Sequence, residues 1–188
     1  MTLGARSSLK TVALAVGHAL DIHGIYGVLT GGACASIHTG GRYVSADADF
    51  ILSGRITRAD LDRAMRSVGF VREGDRYVHP RARFFVEFPR GPLAIGADHR
   101  IRPVRLSSRG HSMLVLSPTD FCRDRLAAFY HWNDRQSLSV AATIGCLHRL
   151  KWAVIREWSK KEGFADRFEE FRRTVKQRRS RRSTKRRR

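Results

Sequence analysis

One stretch of this 188-residue chain constrains the fold more than any other: Val44 to Leu52, which reads V-S-A-D-A-D-F-I-L. In a β-strand, alternation sends Val44, Ala46, Ala48, Phe50 and Leu52 to one face, and Ser45, Asp47, Asp49 and Ile51 to the other. The first face is uniformly apolar and predicts a covering layer of helices. The second carries two carboxylates about 7 Å apart along the strand. Like charges so placed repel each other unless a cation lies between them, and strands disfavour Asp to begin with. An isolated D-x-D is also at home on a solvated sheet face. What points to chemistry is its position behind Gly31-Gly32, two glycines between a short apolar strand (Tyr26 to Thr30) and a helix over Ala33 to His38. Glycines there let the backbone approach a phosphate, and a helix N-terminus offers it unpaired N–H groups.

A third acid fits the same scheme. In Arg83 to Phe88, R-F-F-V-E-F, alternation groups Phe84, Val86 and Phe88 on one face and leaves Phe85 and Glu87 on the other. If this strand neighbours Val44–Leu52, Asp47, Asp49 and Glu87 converge. Three hard oxygen ligands around an open space suit Mg²⁺, with Mn²⁺ as a substitute, and such sites serve in-line phosphoryl displacement.

The remaining chain predicts a mixed α/β body followed by helices. Leu9, Val12, Ala13, Val16 and Leu20 form a helical stripe that Gly24 ends. Thr57 with Asp60 caps a helix reaching about Val68, and short strands are expected over Arg76–His79, Ile101–Leu106 and Met113–Leu116. Ser117-Pro118-Thr119-Asp120 is a strong helix start. A second helix is expected from near Ser137 to Trp158 and a third from near Phe164. The expected fold class is α/β (α+β), a small mixed central sheet with flanking helices plus a helical C-terminal part. Its segments are 1–116, 117–171 and a basic tail over 172–188.

That tail holds much of the charge. Lys and Arg total 36 against 17 Asp and Glu, a formal charge of +19. Eleven of the residues from Arg172 to Arg188 are basic and none is acidic, which leaves +8 for the first 171 positions. Such a segment is expected to be disordered or a frayed helix extension, and to bind RNA phosphates without sequence preference. Arg100, Arg102, Arg105 and Arg109 are further candidates for triphosphate or RNA contact, with solvated surface charge as the competing reading. No run of 18 apolar residues exists, so no membrane helix is expected. Cys34, Cys122 and Cys146 are too far apart for a knuckle and read as reduced thiols of a cytoplasmic protein. No metal spacing among the eight histidines, Ser-His-Asp or Cys-His arrangement, GxGxxG or P-loop is present. Trp132 is expected in the core.

The stretch from Leu29, L-T-G-G-A-C-A-S-I-H-T-G-G-R-Y-V-S-A-D-A-D-F, resembles the signature of the polymerase-β-like nucleotidyltransferase superfamily. It is most like the small prokaryotic branch with the AbiEii-type toxins, and the likeness runs over about 29–138. Gly31, Gly32, Ala33, Arg42, Ser45, Asp47 and Asp49 match, with one extra residue between Arg42 and Ser45. The resemblance implies Asp47, Asp49 and Glu87 as catalytic metal ligands. It implies Gly31, Gly32, Ser36, Arg42, Ser45 and Arg125 as nucleotide contacts, Arg125 also having a surface ion pair with Asp124 open to it. Many relatives carry Gly-Ser where this chain has Gly31-Gly32, so Ser36 or Thr30 would have to supply the hydroxyl. The third acid is Glu where Asp is commoner. The implied activity is transfer of a nucleotidyl group from an NTP to an acceptor, with RNA or tRNA foremost and a protein side chain as the other choice. A toxin–antitoxin role would add a cognate antitoxin or other partner protein. The competing class is a catalytically silent nucleotidyltransferase-like module that binds RNA or protein.

Overall fold

The computed structural model describes residues 2–186, with side chains through 181. It divides into two compact units, 1–93 with 99–116, and 94–98 with 117–188. The chain order is α1 (Leu9–Ile22), β1 (Tyr26–Leu29), α2 (Gly31–His38), β2 (Asp47–Ser53), α3 (Arg58–Arg66), β3 (Val71–Glu73), β4 (Arg76–Val78), β5 (Phe85–Glu87), β6 (Val104–Ser108) and β7 (His111–Val115). Helices α4 (Pro118–Trp132), α5 (Arg135–Leu147), α6 (Trp152–Lys161) and α7 (Ala165–Arg186) follow.

The first unit is a seven-stranded mixed sheet in the order β3-β4-β5-β2-β1-β7-β6. β2 lies antiparallel to β1 and parallel to β5, with Asp47 opposite Phe85 and Asp49 opposite Glu87. Helix α1 begins where Ser8 accepts the Thr11 N–H and buries Leu9, Val12, Ala13, Val16 and Leu20, the stripe read from the sequence. Those side chains meet β1 and β7. Gly17 is needed at the closest approach, since a Cβ there would lie 2.3 Å from Cβ of Met113 on β7. Thr57 caps α3 by accepting the Asp60 N–H, as its spacing predicts.

Three sequence expectations change in this unit. The central strand begins at Asp47, three residues later than its alternation predicts, leaving Val44 87% exposed and Ala46 exposed. The reason is pairing: the β5 register begins with Asp47 opposite Phe85, and before it only the Ala46 carbonyl joins, accepting the Phe85 N–H at 3.4 Å. Helix α2 starts at Gly31 itself and not at Ala33. Strand β3, all exposed and paired only with β4 at the sheet edge, has no apolar alternation and was not expected.

The second unit is helical. Ser117 and Pro118 open α4 as expected, with the Ser117 hydroxyl accepting the Asp120 N–H. The helix expected from Ser137 to Trp158 is in fact two. It stops at Leu147 and resumes at Trp152, because Leu150 is buried between them and the Lys151 N–H donates to Thr119 Oγ1. Segment 94–98 belongs with these helices. The Trp158 indole donates to the Ile95 carbonyl at 3.3 Å, and Glu162 accepts the Ala97 N–H at 3.0 Å. Arg123, whose side chain is 4% exposed, donates to Asp98 at 2.6 Å and Asp120 at 2.9 Å while lying over the Trp158 ring.

Of the two states expected for the tail, the helix extension is the one present. Residues 172–186 continue α7 as helix, not as a disordered arm; 187, 188 and the side chains of 182–188 lie outside the described residues. Phe168, Phe171 and Val175 form a buried stripe at i, i+3 and i+7. Gly145 on α5 lets α7 close in, since a Cβ there would meet Val175 at 2.9 Å. Arg178 donates to the Ser139 carbonyl and Thr143 Oγ1, and Arg179 to the Gly145 carbonyl at 2.6 Å. That last carbonyl lies in the final turn of α5, where the helix dipole favours a cation. Trp132 is also corrected: at 78% exposure it is outside the core, because it sits two residues past Tyr130 and off the stripe that α4 buries.

Candidate active site

Three carboxylates meet on one face of the first unit's sheet. Asp47 and Asp49 project from β2 and Glu87 from its parallel neighbour β5. One oxygen from each lies within 4.8 Å of the other two, and all three residues are half-buried. The register explains the convergence. Residues opposite each other in adjacent strands share a face, so Asp49 and Glu87 are forced together and Asp47 follows two residues back. The other face is apolar as predicted from Ala48 onward, with Ala48, Phe50 and Val86 fully buried.

The two glycines stand against these acids. Gly31 opens α2 with φ +59°, and a Cβ on it would lie 1.8 Å from Oδ2 of Asp49. A Cβ on Gly32 would lie 2.2 Å from Ser45 Oγ and 2.8 Å from Ser45 Cβ. No other residue type fits either place without moving an acid or its support. Thr30, the N-cap residue, donates its N–H to the Asp49 carbonyl at 2.8 Å, which ties the start of α2 to β2. Ser45 donates to Oδ1 of Asp47 at 2.5 Å and so orients that carboxylate.

The other expected contacts fall as follows. Ser36 is on α2, half-buried, and Arg42 is exposed in the loop between α2 and β2. Arg125 belongs to the second unit, where both Nε and a terminal nitrogen donate to Asp124, at 2.9 and 2.6 Å. The ion pair left open by the sequence is thus the arrangement present. Arg105 is on the edge strand β6, donating to Asp21 at 2.7 Å and to Ser112. Its hydrogen bond holds the Asp21 carboxyl below the ordinary carboxylate range. Arg109 is in the β6–β7 turn and Arg100 and Arg102 are in the preceding loop. β6 is three strands from β2, so Arg105 and the three acids are not neighbours in the sheet.

Sequence reasoning missed Arg76. It is the register partner of Glu87 on β4 and lies over the Phe85 ring, which puts a cation on the acidic face. Strand spacing alone cannot show this, because the β4–β5 register is set by a six-residue loop rather than a tight turn. Cys122, fully buried, has its thiol pushed up by burial and stays protonated, so it is no nucleophile.

Hard oxygen donors at this spacing fit a divalent cation such as Mg²⁺ or Mn²⁺, and no other three-residue group of His, Cys, Asp or Glu among the described residues does so. Also among those residues, no helix is long and apolar enough to cross a membrane.

No protein-family model matches the chain, and no curated protein does. A solved structure does: the crystal structure of an antigenic nucleotidyltransferase-like protein from Paracoccidioides brasiliensis, with a TM-score of 0.56 over 76% of this chain and 77% of that one. At 16% identity this is a likeness of fold, and by fold the chain is nucleotidyltransferase-like.

Proposed function

We propose that the protein is a metal-dependent nucleotidyltransferase that moves a nucleotidyl group from an NTP to RNA. The observation that carries this reading is the convergence of Asp47, Asp49 and Glu87 beside the glycine-opened N-terminus of α2. Asp47 and Asp49 would hold the cation, and Glu87 would complete the set. A divalent ion there supplies neutralisation of charge developing on the transferred phosphoryl group.

The chain's own groups do the rest. Gly31 and Gly32 leave the first N–H groups of α2 without side-chain cover, so the triphosphate can approach a helix N-terminus. Ser45 holds Asp47 in one rotamer, which keeps the ligand oxygen pre-placed. Arg76, across from Glu87, offsets part of the like-charge repulsion. Glu87, the longest and least constrained of the three acids, would accept the proton of the acceptor hydroxyl. Arg42 in the exposed loop would meet the triphosphate. A cytoplasmic location suits three cysteines that form no disulfide, and a toxin with a cognate antitoxin is the cellular role the resemblance favours.

The test is incubation of the full chain with each labelled NTP, Mg²⁺ or Mn²⁺, and total RNA. Label on RNA that disappears with Asp47→Asn, while the metal-free melting temperature is unchanged, is the expected result. Label on protein instead of RNA would move the acceptor to a side chain. No transfer with any nucleotide or metal would leave the silent RNA- or protein-binding module as the function.

A further inference from the structure

The second unit carries a groove of about 380 Å³ between α6 and α7. Trp152, Arg156, Arg172, Val175, Lys176 and Arg179 line it, and no acid does. Its floor is apolar: Val175 is buried, and Trp152 stacks on Phe171 with centroids 5.4 Å apart and planes 26° from parallel. Its rim is cationic. Arg172 is engaged by Glu169 at 2.9 Å and Arg179 by the Gly145 carbonyl, whereas Arg156 and Lys176 are exposed and make no ion pair with any described residue. The helical state of the tail creates this surface, because it places Arg172, Lys176 and Arg179 on one side of α7 at spacings of four and three.

We infer that this groove binds a single-stranded RNA segment, with a base stacked on Trp152 and its flanking phosphates on Arg156 and Lys176. A half-exposed aromatic floor between exposed cations is what a single strand needs, since every base has a π-face and every linkage a negative charge. A duplex keeps its bases stacked on one another and cannot use the tryptophan. An acidic protein segment could use the cations but gains less from the ring. The inference deepens the proposed function by giving its acceptor a contact surface. It rests on that reading only in treating the bound RNA as an acceptor.

The experiment measures binding of a fluorescent uridine oligonucleotide to the full chain by anisotropy, in EDTA and without NTP, over a salt titration. A chain that binds but transfers nothing fails the proposed function and not this inference. The double variant Arg156→Gln/Lys176→Gln removes exposed charges, so folding is preserved. It is expected to flatten the slope of log affinity against log salt by about 1.4, two phosphate contacts at ~0.7 each for a single strand. Trp152→Leu should weaken binding roughly 5- to 150-fold, the range for one lost base stack. Trp152→Phe, which keeps a ring on Phe171, should retain most of the affinity and guards against a folding artefact. Four results would overturn the inference: an unchanged slope in the double variant, equally tight and Trp152-sensitive binding of duplex RNA, tighter binding of the DNA strand of the same sequence, or displacement of RNA by polyglutamate at equal charge concentration.

Discussion

Gly31 can be tested against a matched control inside the same unit. Gly31→Ala introduces two costs. The first is conformational: φ is +59°, and a non-glycine residue in the left-handed region loses about 1–2 kcal/mol. The second is steric. The new Cβ would lie 1.8 Å from Oδ2, 2.8 Å from Cγ and 3.1 Å from Cβ of Asp49, so rotating the carboxylate does not clear it and the side chain or helix must shift. Overpacking of this kind costs roughly 1–3 kcal/mol. Gly40→Ala isolates the first cost, because Gly40 has φ +65° and nothing within 4 Å of an added Cβ. At about 2–4 °C per kcal/mol for a chain of this length, Gly40→Ala should lower Tm by roughly 2–8 °C and Gly31→Ala by several degrees more. Displacing Asp49 also spoils the convergence of the three acids, so Mn²⁺ affinity should fall about 10- to 100-fold for Gly31→Ala and stay unchanged for Gly40→Ala. Thermal melts and Mn²⁺ calorimetry on the three chains give both numbers. Equal Tm losses together with unaltered Mn²⁺ binding in Gly31→Ala would refute the claim that this glycine exists to accommodate Asp49.

Three further predictions follow from the second unit. Arg123→Met keeps the apolar stem but takes the cation away from Asp98 and Asp120; because those acids are partly solvated and Asp120 keeps the Ser117 hydroxyl, the loss should be about 2–3 kcal/mol, below the ~3–5 of a fully buried pair, and a denaturant melt reads it. Asp134 caps α5 by accepting from Gln136 and Ser137, and the Ser137 hydrogen bonds hold its carboxyl below the ordinary value. A depressed folded pKa gives stability that is complete above the unfolded value of about 3.9 and lost as pH falls through the folded one; Asp134→Ala should therefore cost roughly 1 kcal/mol at pH 7 and progressively less below pH ~4 in urea melts. Truncation after Phe171 removes the buried Val175 and the Arg178 and Arg179 hydrogen bonds, so it should lose at least the ~1.5–3 kcal/mol of one buried aliphatic side chain, whereas truncation after Arg181, which removes five basic residues, should flatten the RNA salt slope.

Alternation and spacing alone were enough to place the acids. Asp47, Asp49 and Glu87 each sit at an odd position among apolar residues, and a period-2 pattern states which face a residue takes without knowing the neighbouring strand. Gly31-Gly32, the Ser117 cap and the α1 stripe are equally local signals, carried by residues within one turn of the feature they specify. What needed the tertiary structure was every question of partner. That β5 lies beside β2, and that Arg76 faces Glu87, is decided by long-range pairing that no short window of sequence contains. The break at 148–151 has no glycine or proline to announce it and exists because Leu150 and the Lys151 N–H find partners elsewhere in the unit. The tail shows the same division most clearly. Its composition correctly describes a polycation, but composition counts charges without asking what receives them. Val175 is its one aliphatic residue, and the carbonyls of α5 accept Arg178 and Arg179, so a segment that could not fold alone becomes a helix against a surface already formed.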